Sequence, residues 1–223
     1  LKMHGGVAVE NIKYPNPEGL QRGFANLDRH IRNMQEFGQT VVVCFNRYAT
    51  DTDEEIELCR AHCEAEGVGF AVNTAYADGG KGAEELARVV VDAIGRQPSR
   101  PLKFTYADTD DVETKAAKVA LRVYGADGVE FSPAARRALK RIYALGIGHY
   151  PVCIAKTQYS FSADAHAYGV PSGFKIPIRE VVPAFGAEMI VLVAGDILRM
   201  PGLPRHPQAE RIDVVDGEIT GLS

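Results

Sequence analysis

The chain has 223 residues, 46% of them hydrophobic and 24% charged, with a formal net charge of −4. Such a composition suits one large or two small globular domains with buried cores. It excludes a membrane span, because no apolar run reaches the roughly 18–20 residues required, and argues against a nucleic-acid partner, because the densest basic run, Arg136 to Arg141, falls at helical spacing among alanines.

In chain order, Leu1-Lys2 reads as the end of an element already under way, as in a C-terminal piece of something longer. The opening residues carry no secretory signal, so the expected location is cytoplasmic. From Gly23, the spacing of Phe24, Leu27, Ile31 and Met34 predicts a helix with all four facing a core, ended by Gly38. Residues 40–45 are a β-branched run that predicts a strand buried on both faces of a parallel sheet. A loop over 46–53 follows, and Thr52 or Asp53 caps a helix through Ile56, Leu58, Cys59 and Cys63, ending at Gly67. Residues 68–72 predict a second buried strand and 73–81 a second loop. A third helix over 82–94 turns Leu86, Val89, Val90 and Ala93 inward.

Two prolines in 95–101 predict a connector. A helix over 111–124 is closed by Gly125, and Ser132-Pro133 opens another that runs to Leu145. The chain then turns β-rich, with strands at 152–155, 174–178 and 189–194. A terminal pair, 211–215 and 218–220, is joined by the hairpin turn Asp216-Gly217. The expected fold is therefore α/β: a doubly wound, mostly parallel sheet unit followed by a smaller α+β domain with a β-rich C-terminus. Cys44 and Cys153 are expected to pack as small hydrophobes within strands. Cys59 and Cys63 share a helix face beside His62, but one such pair without further ligands reads as plain reduced cysteines rather than a metal site.

Ligands of doubly wound units sit at the C-terminal ends of the strands, here the loops at 46–53 and 73–81. Asn46, just past the first strand, is placed to hydrogen-bond a purine edge or a substrate amide. Equally, Asn46, Thr50 and Asp51 can simply tie the turn. The second loop, Asn73 to Gly82, offers glycines before a helix, which favours anions. It is not a Walker A loop, since Ala75 and Gly82 stand where that motif needs glycine and Ser/Thr. Tyr48 and Tyr76, one per loop, suit either a sandwich around a planar ring or half-buried structural positions. A third loop, Lys156 to Ser162, reads as a hydrogen-bonded turn, with presentation of Lys156 to an anion as the alternative. His4 beside Gly5-Gly6 reads as structural.

Several segments resemble formate–tetrahydrofolate ligases in the same order along the whole chain. They are Leu1-Lys2-Met3-His4-Gly5-Gly6, Gly23 to Leu27, Asn46 with Thr50-Asp51-Thr52, Gly79 to Gly82, Ala155 to Ser162, Pro171 to Phe174, Gly195 to Ile197 and Met200 to Pro204. The resemblance implies an ATP-dependent ligase that forms formyl phosphate and transfers the formyl group to N10 of tetrahydrofolate, giving 10-formyltetrahydrofolate. It implies ATP with magnesium and tetrahydrofolate as substrates, allows a monovalent cation, and makes a homotetramer the expected assembly. The P-loop of that family lies in an N-terminal region, which becomes the expected partner; no catalytic residue is expected in this chain. Residues 1–28 would end the nucleotide-binding domain, 29–125 would form an α/β domain with the folate-pocket loops, and 126–223 a C-terminal domain. Tyr48 stands where the family usually has Phe and Tyr76 where it commonly has Trp, so the pair is implied to sandwich the pterin. Asn46, Val72 and Asn73 join them as implied substrate contacts, and Asn46 and Ala49 as implied nucleotide contacts. A non-catalytic folate-binding or assembly subunit, and an unrelated nucleotide-binding α/β protein, are the competing readings.

Overall fold

A computed structural model describes residues 1–197 and 205–221; the run from Met200 to Pro204 lies outside the described residues. Asn16 opens the first long helix, α1 (Pro17–Glu36), accepting from the Gly19 N–H at 2.8 Å, with Pro17 in the first turn. Its buried face carries Leu20, Phe24 and Ile31. Met34, expected inward, is 43% exposed because it faces a cleft rather than the core. Gly38, with φ +83°, then turns the chain into strand β1 (Val42–Asn46).

Thr52 caps helix α2 (Asp53–Ala65), and Cys59 and Cys63 lie inside the cluster that α2 forms with α1. Burial pushes their thiols up, to about 12 and about 11, so both stay protonated and unreactive. Gly67, φ +69°, leads into β2 (Gly69–Asn73), which pairs parallel with β1. One face of this pair carries Val43, Phe45 and Phe70 toward the cluster. A one-turn helix, α3 (Ala75–Asp78), and a 3₁₀ turn at Gly79–Ala83 occupy the expected second loop. Helix α4 (Glu84–Arg96) then packs against β2, with Val89 over Gly69.

Burial of β1 on both faces does not hold: none of its residues is fully buried, and Cys44 is exposed. The reason is local, since α4 covers β2 and leaves Cys44 open. Val90, expected inward, is likewise 37% exposed, because α4 meets only two strands.

A second cluster begins at helix α5 (Val112–Val119), which widens into a π turn at Ala120–Tyr124 and stops at Gly125 with φ +68°. Strand β3 (Val129–Phe131) is short and was not legible in the sequence. Ser132 caps α6 (Pro133–Ala144), accepting from the Ala135 N–H at 3.0 Å. Strands β4 (Val152–Ala155), β5 (Ile176–Ala184) and β6 (Met189–Ala194) complete a four-stranded sheet of order β3-β5-β6-β4. The β3–β5 and β4–β6 pairs are parallel and β5–β6 is antiparallel. Helices α5 and α6 cover this sheet through Val112, Ala116, Leu139 and Ile142, meeting Ile176, Ile178 and Leu192. Cys153 is exposed rather than packed. The terminal hairpin, β7 (Asp213–Val215) with β8 (Glu218–Thr220), turns at Asp216 and Gly217, both with positive φ (51° and 84°) as a type I′ turn requires. The α/β class is therefore as expected, with parallel pairing in both sheets and antiparallel pairing toward the C-terminus. No described helix is long and apolar enough to cross a membrane.

One buried ion pair ties the first residues to this frame. Lys2 Nζ meets the Glu55 carboxylate at 3.1 Å, with side-chain exposures of 11% and 2%. The same carboxylate accepts from the Asn16 N–H at 2.7 Å and sits in the first turn of α2, where the helix dipole favours it. Glu55→Ala strands a buried ammonium and a backbone donor, and is expected to lower stability by about 3 kcal/mol in urea unfolding. A loss below about 1 kcal/mol would show that the pair is solvated.

Candidate functional site

The first two strands end side by side. Their register sets Asn46 opposite Asn73, and the Asn73 Nδ2 donates to Asn46 Oδ1 at 2.9 Å. The Arg47 N–H continues the ladder to the Asn73 carbonyl at 3.0 Å. Beyond this bridge the two loops separate. In the first, Asp51 accepts from the Tyr48 N–H at 2.8 Å and returns its own N–H to the Tyr48 carbonyl at 3.0 Å. This closed turn holds the Tyr48 backbone while its ring stays 73% exposed. Arg47 is held by Asp53 at 2.8 Å, and Ala49 is exposed at the loop tip.

In the second loop, Asn73 Oδ1 accepts from the Ala75 N–H at 3.1 Å, starting α3. The Thr74 hydroxyl donates to Asp78 at 2.7 Å across that single turn. The Thr74 N–H reaches the Gly82 carbonyl at 3.1 Å, so the 3₁₀ turn folds back on the strand end. Two glycines permit this. Gly79 has φ +61° and ψ −148°, a region closed to side chains. At Gly82 a Cβ would lie 2.5 Å from the Thr74 carbonyl carbon. On this scaffold Tyr76 projects with its side chain fully exposed. The half-buried structural alternative therefore fails for both tyrosines: neither ring packs into the core.

The same loop borders a shallow cavity lined by Val72, Thr74, Asp78, Lys81, Gly82 and Glu85. As a phosphate cradle this end of α4 is poor. Its first turn carries Glu84 and Glu85, whose charges oppose an anion at the helix N-terminus. Sequence spacing offered no metal set, yet α1 and α2 bring Asp28, His62 and Glu66 within 4.8 Å of one another. The His62–Asp28 hydrogen bond of 2.6 Å, with His62 stacked on Phe24 at 4.1 Å, accounts for that cluster as a tie between helices. His4 is structural in the same sense, its Nδ1 accepting from the Gly169 N–H at 3.1 Å. The 156–162 loop is the hydrogen-bonded turn expected, with Ser160 and Ser162 buried and bonded to each other at 3.0 Å.

The family model for formate–tetrahydrofolate ligase matches residues 1–223. The chain belongs to that family. It is similar to proteins named formate–tetrahydrofolate ligase from Bacteroides thetaiotaomicron, at 59% identity over 223 residues, and Porphyromonas gingivalis, at 52% over 223. A third, from Symbiobacterium thermophilum, is 51% identical over 224 residues. Each comparison covers the whole of this chain but only 40% of the relative, so the chain spans well under half the length of the ligases it matches.

The two loop glycines with different surroundings give a local test. Gly82→Ala pushes a methyl into Thr74 and is expected to cost about 2 kcal/mol and to shift the amide resonances of residues 73–78. Gly80, which has open space around it, should accept alanine within about 0.5 kcal/mol. Equal effects at the two positions would contradict the fold-back of the 3₁₀ turn.

Proposed function

We propose that this chain is the folate-binding and folate-orienting part of an ATP-dependent ligase that forms 10-formyltetrahydrofolate from formate and tetrahydrofolate. The observation that carries the reading is the pair of exposed tyrosines at neighbouring strand ends, each held by its own closed turn. An exposed aromatic ring on a rigid backbone loses little entropy on stacking and buries much apolar area, so two such rings favour a flat heterocycle between them. Asn46 and Asn73, bonded to each other at the two strand ends, would offer amide groups to that ring, and Val72, in the same strand as Asn73, an apolar contact. These groups would orient the pterin so that N10 faces the formyl donor, which is catalysis by positioning rather than by a titrating group.

The triphosphate belongs elsewhere on this reading. The acidic groups near these loops, Asp51, Asp53, Glu84 and Glu85, disfavour a polyanion, and Asn46 and Ala49 are left to meet only the adenosine side of ATP. The remainder of the enzyme would bring the P-loop, the magnesium-bound phosphates and the formation of formyl phosphate. Residues 1–28 would then close the nucleotide-binding domain, 29–125 carry the folate loops, and 126–223 form the C-terminal domain of a cytoplasmic homotetramer.

Binding of tetrahydrofolate, followed by tyrosine fluorescence or calorimetry, tests this. Tyr48→Ala and Tyr76→Ala are each expected to weaken binding about tenfold, or about 1.4 kcal/mol, while the Phe variants stay within about threefold. Supplying the P-loop region should restore formyltetrahydrofolate synthesis to the wild-type chain and not to the double Ala variant. Binding without restored synthesis would favour a non-catalytic folate-binding subunit. ATP binding as tight as folate binding, unaffected by either tyrosine, would sink the folate reading.

A further inference from the structure

A second cleft stands apart from the two tyrosine loops and does not depend on the folate reading. It encloses about 320 Å³ between α1, the first turn of the chain and the loop at the C-terminal end of β4. Its polar lining includes Lys156, His4, His30, Thr157, Gln158 and Ser160, and among the described residues no acidic side chain lines it.

Lys156 is the centre of this cleft. Its Nζ donates to the carbonyls of Thr157, at 2.9 Å, and Ser160, and lies 4.8 Å from the centre of the Tyr124 ring. Two carbonyl dipoles and a ring face satisfy protons, but they supply no negative charge. Burial of the ammonium accordingly pulls its pKa down to about 8. The groups that face it from the neighbouring elements are likewise uncharged near pH 7. His30, on α1, packs its ring against Phe161 at 4.7 Å, and burial together with the Lys156 charge holds its pKa below the usual histidine value. Burial lowers the pKa of His4 as well. Because His4 Nδ1 accepts the Gly169 N–H, the ring proton sits on Nε2, leaving that nitrogen a donor. Tyr124, from the π turn after α5, is kept neutral by a burial-raised pKa.

A cation with neutral neighbours, extra donors and empty volume is a site short of one negative charge. We propose that this cleft binds a small oxyanion, the carboxylate or phosphate group of a ligand, with Lys156 as its counter-charge and imidazole and amide N–H groups around it. The position suits this chemistry, since β4 runs parallel to β6 and the cleft opens past its C-terminal end. An anion on Lys156 raises the ammonium pKa, so affinity is greatest below about pH 8 and is lost as pH rises through the higher, ligand-bound value.

Competitive acylation of the intact chain with acetic anhydride, read lysine by lysine by mass spectrometry across pH, tests the proposal without any variant. Lys156 should titrate near 8. Orthophosphate or acetate, against sodium chloride at equal ionic strength, should raise that midpoint by about one unit and slow labelling at the original midpoint about five- to tenfold. The exposed Lys175 should not respond. Protection by phosphate only would assign a phosphate-bearing ligand, and by acetate only a carboxylate; both outcomes uphold the site. Protection no greater than chloride gives, or equal protection at Lys175, would overturn it and leave Lys156 as a tie within its own turn.

Discussion

The in-register parallel pairing of β1 with β2 is the constraint on which the functional reading depends. Asn46 lies opposite Asn73 only in this register, and the side-chain bridge between them marks the point where the loops part. A slip of one residue would turn Phe45 and Phe70 from the buried face toward the other. It would also move the two tyrosines out of step. The register is therefore paid for by the cluster beneath it, where Phe70 packs with Ile56, Cys59 and Cys63 and carries Arg60 over its ring at 4.9 Å.

Helix α1 links this unit to the second sheet. Asn33 Nδ2 and Arg29 Nε donate to the Val123 carbonyl, at 3.0 and 3.3 Å, and Arg29 Nη2 donates to the Arg122 carbonyl at 2.8 Å. These are carbonyls that the end of a helix leaves without internal partners. From the same helix Asn26 donates to the Gly169 carbonyl at 2.8 Å, beside the point where His4 holds the Gly169 N–H. One helix thus satisfies backbone groups in two separate segments and frames the Lys156 cleft between them. The tyrosine loops and this cleft belong to different sheets, and each follows from which strand ends remain open after the helices are placed.

Much of this was legible in the sequence. Caps and stops at Thr52, Ser132, Gly38, Gly67 and Gly125 fell where side-chain chemistry and positive φ require them, and Asp216-Gly217 formed its hairpin. The tyrosine loops were placed correctly at strand ends because strand-to-helix order in α/β units fixes where such loops go. What composition could not give was how much of each element is covered. A β-branched run signals a strand, but whether both faces are buried depends on neighbours that the run does not encode, hence the open Cys44. Strand β3 was missed because three residues carry too little pattern, and β5 extended past Ile178 through Pro183, a residue type that reads as a break. The sequence offered Lys156 to an anion only as an alternative to a plain turn, and the histidines beside it were hidden for a different reason: His4, His30 and Lys156 are far apart in sequence and line one cleft only in the fold.

The most direct test of the central claim is an NMR search for intermolecular contacts between bound tetrahydrofolate and the aromatic ring protons of Tyr48 and Tyr76. Nuclear Overhauser effects from the pterin to both rings in one complex are the predicted result. A complex that forms with no such effect to either ring would contradict the account.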